Sequence, residues 1–255
     1  PVQGPLCKNC TLEQTGEIFI PFAGSGANRV LLYGDSGWVY EAHARRWQGG
    51  QQVGTPFQGP SGWFIERNLK RLGLHRDDFL VANSIWCKAP RLGYTDHPEK
   101  YPEVALALKQ CTPYTDDLIK QMGIQAIVTM GDAALRRITG RHGVEDHHAY
   151  HIATGYGVPA YPTFHPSYIL KGNANLSSAW CTAVTRATQN DKPVKYNLLL
   201  DPSPDEARAY FERGGLREVV YDTEYPKPLT KAQRAKLGED EGTDDKTIFR
   251  VSFCN

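Results

Sequence analysis

Short apolar runs alternate along this chain with segments of helical spacing. Buried strands are predicted over residues 28–33, 79–85, 126–130 and 159–164. Helices are predicted over residues 64–72, 101–122, 132–138 and 177–189. Strands that alternate with helices indicate an α/β fold with a largely parallel sheet, and ligand sites in such folds lie at the carboxyl ends of the strands.

The pattern changes after residue 189. A polar, proline-containing stretch predicts a linker over residues 191–197, which separates a first domain (1–190) from the start of a second (198–255). In the second part a helix is predicted over 204–213, and strands over 218–221 and 247–254. Two strands with an open edge do not make a stable domain, so this part is expected to begin a longer α/β unit.

Composition excludes little. The 255 residues are 40% hydrophobic and 22% charged, with a net charge of +1, so bulk charge does not indicate a nucleic-acid partner. The start of the chain lacks the pattern of a signal peptide, and no apolar run is long enough for a bilayer. We therefore expect a cytoplasmic or nucleoid protein with no membrane association.

The cysteines suggest a bound metal rather than disulfides. Cys7 and Cys10 form a Cys-x-x-Cys pair. Cys87 and Cys111 lie in polar contexts; Cys87 follows a predicted strand end, and Cys111 lies within or just before a predicted helix. Four thiolates suit zinc or an iron–sulfur cluster, and spacing alone does not choose between them. The alternative is four unrelated free thiols.

Six motifs follow one another in a telling order. They are Cys7-Lys-Asn-Cys10-Thr-Leu12; Gly34-Asp35-Ser36-Gly37-Trp38 with Glu41; Pro56-Phe57-Gln58-Gly59-Pro60-Ser61-Gly62; Asn83-Ser84-Ile85-Trp86-Cys87-Lys88-Ala89-Pro90; Cys111-Thr112-Pro113; and His165-Pro166-Ser167. In this order they resemble the family 4 uracil-DNA glycosylases, which are iron–sulfur enzymes, over about residues 7–185. The resemblance implies a three-layer α/β/α fold with a central, mostly parallel sheet, a 4Fe-4S cluster on the four cysteines, with zinc the less favoured occupant, and DNA as the partner of a monomer.

The resemblance also implies roles in recognising the base. Phe57 would stack on a uracil flipped out of single- or double-stranded DNA, and Asn83 would pair with its N3–H and O4. His165 would donate to O2, where negative charge develops as the glycosidic bond breaks. Further substrate contacts are expected from Gly34, Ser36, Glu41 and Ser167.

Other roles concern the sugar and the DNA. Asp35 would orient the attacking water or stabilise the cationic sugar, and Trp38 would exclude the thymine methyl group. Ser61 would bind phosphate through nearby backbone N–H groups, and Ile169 would insert into the duplex.

Simpler explanations exist for the same residues. Phe57 fits a core position, Asn83 a turn, His165-Pro166 a rigid turn, and Asp35 a helix N-cap. The first loop also departs from the family pattern, because it lacks the family's proline, has Asp35 for glutamate and Trp38 for glycine. Extra sequence between Glu41 and Pro56 fits either a DNA contact or a solvated loop.

The second part has a resemblance of its own. Val219-Val220-Tyr221-Asp222-Thr223-Glu224 is similar to the first motif of the DnaQ-like 3′–5′ exonucleases found with family A DNA polymerases, a ribonuclease H-like fold. That resemblance implies that Asp222 and Glu224 help to hold a divalent metal. The alternative is ordinary surface charge.

Three hypotheses follow from the sequence. The leading one is an active uracil-DNA glycosylase, the N-terminal module of a fusion with a polymerase or exonuclease. The second is a catalytically weak uracil- or DNA-binding module that positions a fused replication enzyme. The third is a piece of a nuclease or polymerase.

Overall fold

The structure is a computed structural model, and it describes residues 7, 10–15, 17–91, 94–95, 97–189, 205, 220–223 and 251–254. The chain divides into two compact units, Pro1–Pro193 and Val194–Asn255, which are described separately below. The predicted linker and the predicted helix over 204–213 lie outside the described residues, apart from residue 205.

A five-stranded sheet organises the first unit. Its strands, in chain order, are β1 (Val30–Gly37), β4 (Leu80–Lys88), β5 (Ala126–Met130), β6 (Ile152–Ala153) and β7 (Pro159–Thr163). Their spatial order is β4-β1-β5-β7-β6, with all neighbours parallel except the short edge strand β6. The prediction of an α/β fold with a mostly parallel sheet is confirmed.

Both faces of this sheet are covered. Every residue of β5 and the first five residues of β1 are buried, so side chains on both faces are out of solvent. Strands buried on both faces need continuous apolar sequences, which is the pattern that predicted them.

Helices connect the strands. Four long ones are α3 (Pro60–Arg71), α4 (Pro102–Gln121), α5 (Asp132–Thr139) and α8 (Ser177–Gln189). Four short ones are α1 (Thr11–Gln14), α2 (Val39–His43), α6 (Val144–His147) and α7 (Pro166–Leu170). Helix α4 packs against β4, α5 against β5, and α8 against β7. Among the described residues, no helix combines the length and the apolar content that a bilayer crossing requires.

Strands β1 and β4 run further than their apolar sequences predict. Their parallel pairing continues through Gly34↔Asn83 and Ser36↔Ile85. Asp35 is therefore a strand residue, and so is Asn83, which lies inside the predicted strand 79–85. The N-cap explanation for Asp35 and the turn explanation for Asn83 are wrong, because the ladder of backbone hydrogen bonds carries the strands past the end of the apolar run.

The extra sequence after Glu41 forms a small hairpin. Strands β2 (Arg46–Gln48) and β3 (Gln51–Val53) pair antiparallel around Gly49 and Gly50. Both glycines have positive φ, 59° and 80°, as a tight two-residue turn requires.

The second unit contains a pair of antiparallel strands, β8 (Val220–Thr223) and β9 (Val251–Cys254). In their register Asp222 stands opposite Ser252. Glu224, the other predicted metal ligand, lies outside the described residues.

Candidate active site

The predicted catalytic and base-binding residues gather at the carboxyl edge of the sheet. Asp35 lies near the end of β1, Asn83 lies on the neighbouring β4, and His165 follows β7 directly. Parallel strands end at the same edge, so residues far apart in sequence meet there.

Gly34 lets an aromatic ring and an amide approach the strand. A Cβ at this position would lie 2.7 Å from Asn83 Oδ1 and 2.9 Å from Phe57 Cε2. The Phe57 ring also faces His165, with 5.9 Å between ring centroids. Phe57 is 2% exposed, so it belongs to the core and also lines this site.

Asn83 carries an unsatisfied amide. The residue is 1% exposed, and neither Nδ2 nor Oδ1 has a hydrogen-bond partner within the described part of the chain. A buried polar group without a partner costs about 1–3 kcal/mol, so a bound species that completes the Asn83 amide would relieve that cost. A flat ring with one donor and one acceptor on the same edge satisfies both atoms.

His165 is held as a neutral side chain. Its Nδ1 accepts the backbone N–H of Ser167 at 3.2 Å and lies 2.8 Å from Ser167 Oγ. A backbone N–H only donates, so Nδ1 is unprotonated and the ring proton is on Nε2. Burial, with a smaller contribution from Lys171, lowers the pKa of His165 to about 4. The side chain therefore offers an Nε2–H donor at neutral pH.

A strained loop presents Phe57. Its φ is 51°, a left-handed conformation that side chains other than glycine rarely adopt. Arg76 stabilises this backbone by donating to Phe57 O at 2.7 Å and to Pro56 O at 2.6 Å. Gly62 completes the loop, because a Cβ there would overlap the Phe57 carbonyl.

Asp35 is oriented by a residue that the sequence analysis missed. The hydroxyl of Thr95 donates to Asp35 Oδ1, and Arg136 Nη2 donates to Thr95 O at 2.7 Å. Thr95 is fully buried, whereas Asp35 is partly exposed. Thr95 lies in a polar loop with no motif around it, so only the tertiary contact identifies it.

Glu41 and Trp38 have a structural relationship. Glu41 is buried, and its Oε2 accepts the Trp38 N–H at 2.9 Å at the start of α2. Burial raises the pKa of the Glu41 carboxyl group. Trp38 is half-buried against the core, and Ser36 is partly exposed on β1. Their predicted contacts with substrate remain predictions.

The structure corrects the position of one of the two residues predicted to contact DNA. Ser61 is half-buried in the first turn of α3, beside the Phe57 loop. Ile169 is 2% exposed and packs into the core, so it cannot insert into a duplex in this conformation. The exposed side chains of α7 are its neighbours Tyr168 and Leu170, at 44% and 47%.

The four predicted cluster ligands, Cys7, Cys10, Cys87 and Cys111, are all buried. Burial first, and then the charges of the other three thiols, raise the pKa of Cys87, and burial raises that of Cys111 to about 12. A buried, all-thiol donor set suits a soft metal centre. No group of three or more His, Cys, Asp or Glu in the described residues has metal-binding geometry, however, and Cys7 Sγ instead lies 3.3 Å from the Tyr114 hydroxyl.

An aromatic ring, an unsatisfied amide and a neutral imidazole meet at the carboxyl edge of the parallel sheet of this α/β protein, an arrangement that suits a flat, hydrogen-bonding ring. The chain belongs to the uracil DNA glycosylase superfamily, whose model matches residues 43–188. The prediction of a uracil-DNA glycosylase family member is thereby confirmed. The match does not reach residues 198–255, for which the exonuclease resemblance remains a prediction.

Similar curated proteins agree with this membership. The type-4 uracil-DNA glycosylase of Thermotoga maritima is 29% identical over 170 residues, 66% of this chain and 80% of the relative. The type-4 enzyme of Pyrobaculum aerophilum is 26% identical over 176 residues, 65% and 80% of the two chains. That of Sulfurisphaera tokodaii is 25% identical over 180 residues, 67% and 73% of the two chains.

Proposed function

We propose that this protein hydrolyses the N-glycosidic bond of uracil in DNA. The observation that carries the proposal is the buried, unpartnered amide of Asn83 beside the Phe57 ring. Its Nδ2–H would donate to uracil O4 and its Oδ1 would accept from N3–H. Cytosine presents the opposite pattern at these positions, so an amide held in this orientation would favour uracil.

Two side chains would stabilise the charges that develop as the bond breaks. As the bond between C1′ and N1 breaks, its electron pair goes to the uracil ring and the sugar becomes cationic. The Nε2–H of His165 would stabilise the charge on uracil O2, and the Asp35 carboxylate would stabilise the sugar and orient a water. That water adds its hydroxyl to C1′ and gives up a proton, which balances the uracil anion.

The DNA contacts would surround this pocket. The exposed Leu170 of α7, rather than Ile169, would occupy the place that the uracil leaves in the stack. The backbone around Ser61 would bind a phosphate. We assign the protein uracil-containing DNA as its substrate, a monomeric state and a place in the nucleoid.

The four cysteines would hold a 4Fe-4S cluster, which supplies a structural cross-link and no step of the hydrolysis. The buried thiols and the family membership support this assignment. Cys87 follows Asn83 on β4 with three residues between them, so the cluster would lie away from the base-binding residues.

Cleavage of a labelled uracil-containing oligonucleotide tests the proposal. After alkaline treatment, the wild type should give strand breaks that depend on uracil, and His165→Ala and Asn83→Ala should give at least ~100-fold fewer, by loss of an oxyanion donor and of base pairing. Asn28→Asp is the matched control, because Asn28 Oδ1 accepts the Val30 N–H and an aspartate preserves that bond. Equal cleavage by all four proteins would place the chemistry elsewhere.

The departures at Asp35 and Trp38 favour one alternative, a catalytically weak module that binds uracil or DNA. A wild type that retards the oligonucleotide in a gel and never releases uracil would establish that alternative.

For the second unit, we propose the beginning of a 3′–5′ exonuclease-like domain with a ribonuclease H-like fold, fused to a polymerase. The supporting observation is the antiparallel pairing of β8 with β9, which puts Asp222 on the first of two adjacent strands. Asp222 and Glu224 would supply ligands for a divalent metal. Titration of Mn²⁺ into the full chain, beside Asp222→Asn, tests this assignment: binding lost in the variant supports it, and binding unchanged contradicts it.

A further inference from the structure

Two large aromatic side chains are exposed beside the Phe57 loop. Tyr40 on α2 is 54% exposed, and Trp63 on α3 is 64% exposed. Both residues lie next to Gly59 of that loop: the backbone N–H of Trp63 donates to Gly59 O at 2.9 Å, and a Cβ on Gly59 would lie 2.6–2.9 Å from the Tyr40 side chain. They therefore flank the same segment that carries the stacking ring of the site.

Cationic side chains extend this surface along α3. Trp63, Arg67 and Lys70 are all exposed, and their spacing of four and three residues puts them on one side of the helix. The acidic residue between them, Glu66, forms an ion pair with Arg76 at 3.2 Å. We call the exposed set the aromatic–basic track; its members are Tyr40, Trp63, Arg67 and Lys70.

The track is continuous with the proposed active site. Helix α3 begins directly after the Phe57 loop and packs against α7, the helix that begins after His165. The exposed Leu170 lies on α7. A DNA strand with its uracil near Phe57 thus has an adjacent path along the outer side of α3.

We propose that the aromatic–basic track binds the single-stranded DNA that flanks the uracil, with unpaired bases stacked on Tyr40 and Trp63 and phosphates at Arg67 and Lys70. The inference rests on the proposed function for the position of the uracil. Aromatic side chains stack on bases of any sequence, and cations beside them follow the phosphates. In a duplex the base faces are covered by neighbouring pairs, so the occupant must be unpaired. Duplex flanks would not use Tyr40 and Trp63.

A substrate modification separates stacking from all other effects. Steady-state kinetics are measured on a single-stranded uracil oligonucleotide, and on the same strand with baseless residues on both sides of the uracil. Trp63→Ala and Tyr40→Ala should each raise KM for the normal strand by roughly 5- to 100-fold and leave kcat unchanged, the range that base stacking supplies. Baseless flanks should raise KM for the wild type. They should raise KM much less for the variant that carries both Trp63→Ala and Tyr40→Ala.

The matched controls are Met122→Ala and Lys120→Ala. These residues are exposed at the end of α4, which precedes β5 and so lies at the opposite edge of the sheet. Both should keep the wild-type KM. Arg67→Ala should reduce the slope of log binding constant against log salt by about 0.7 for a single strand, and Lys120→Ala should not.

The outcomes for the track and for the glycosylase are distinguishable. If the wild type releases no uracil, the proposed function fails, and the track is then tested by the affinity for a uracil-free single strand, measured by fluorescence anisotropy. Weaker binding by Trp63→Ala than by Met122→Ala supports the track. Equal binding by the two, or equal KM values on normal and baseless strands for every protein, overturns it.

Discussion

At the scale of single residues, His165 shows how a local contact sets chemistry. Two groups of Ser167 face its Nδ1, and one of them is a backbone N–H that cannot accept. The imidazole is therefore fixed as a neutral donor before any ligand arrives. A preset donor needs no reorganisation during the reaction, which is the condition for strong electrostatic stabilisation.

The depressed pKa of His165 predicts a pH-dependent stability. An unfolded histidine has a pKa of about 6.5, and the folded value is about 4. Between these values the unfolded chain binds more protons, so the contribution is complete above pH 6.5 and is lost as pH falls to 4. We expect wild type to lose up to about 3 kcal/mol more than His165→Asn in this window. Urea unfolding at pH 7.5, 5.5 and 4.5 measures the difference; parallel losses in both proteins would contradict the prediction.

The proposed pairing of Asn83 with uracil predicts that a substitution at this position changes base release. In Asn83→Asp a carboxylate replaces the amide, so the donor to uracil O4 becomes an acceptor and repels it. Uracil release should fall at least ~100-fold, because a site built for a hydrogen bond discriminates strongly when the bond is missing. Release of base from uracil- and cytosine-containing strands is compared, with Asn28→Asp as the control. Undiminished uracil release by Asn83→Asp would exclude the pairing.

At the scale of elements, the conformation of the Phe57 loop depends on a side chain outside the loop. Arg76 is largely buried, donates to two loop carbonyl oxygens, and lies in the turn before β4. Loss of these bonds frees a backbone that is strained at Phe57, so the ring loses its fixed position.

The hydrogen bonds from Arg76 to the loop give a third prediction. Arg76→Ala should lower kcat/KM for uracil release by about tenfold or more, since each charged hydrogen bond contributes about 1.5–3 kcal/mol. Glu66→Gln, which removes only the half-exposed ion pair with Arg76, should change kcat/KM less than about twofold. Kinetics on one strand for all three proteins decide between them. A Glu66→Gln loss as large as that of Arg76→Ala would mean that the ion pair, not the carbonyl contacts, positions the loop.

At the scale of the whole molecule, the first unit contains every proposed active-site residue. Its boundary at Pro193 falls beyond α8, which packs against β7 and β5. A chain cut after Pro193 should therefore release uracil at a rate within about twofold of the full chain, since domains carry their own cores. A truncated chain that folds, by circular dichroism, and lacks activity would show that the second unit takes part in the reaction.

The cysteines give the last prediction. The full chain purified without oxygen should be brown and contain iron, and Cys87→Ser should lose both colour and iron. Cys181→Ser is the control, because Cys181 lies on α8 and outside the proposed ligand set. Zinc with no iron in the wild type would replace the cluster by the other metal that four thiolates suit.

Apolar periodicity predicted the fold, and the resemblance to the family 4 glycosylases singled out Asp35, Asn83 and His165. Asp35 and His165 follow apolar runs and Asn83 lies within one, and parallel strands bring their carboxyl ends to one edge. Thr95 and Arg76 have no local signature. Thr95 contacts Asp35, 60 residues earlier in the chain, and Arg76 contacts Phe57, 19 residues earlier, so only the tertiary structure identifies them. The burial of Ile169 has no local signature either, because it depends on how the five-residue helix α7 packs against the core.

A cluster held by the four buried thiols would join distant parts of the chain. One bound group that joins Cys10 to Cys87 closes a loop of about 77 residues, and Cys111 adds a further closure. A covalent link of that span lowers the conformational entropy of the unfolded chain by an amount equivalent to about 4 kcal/mol. Unfolding and metal release would then be one event. The time for which the protein stays folded in air would depend on how fast oxygen attacks the metal–sulfur bonds, and less on the packing of its core.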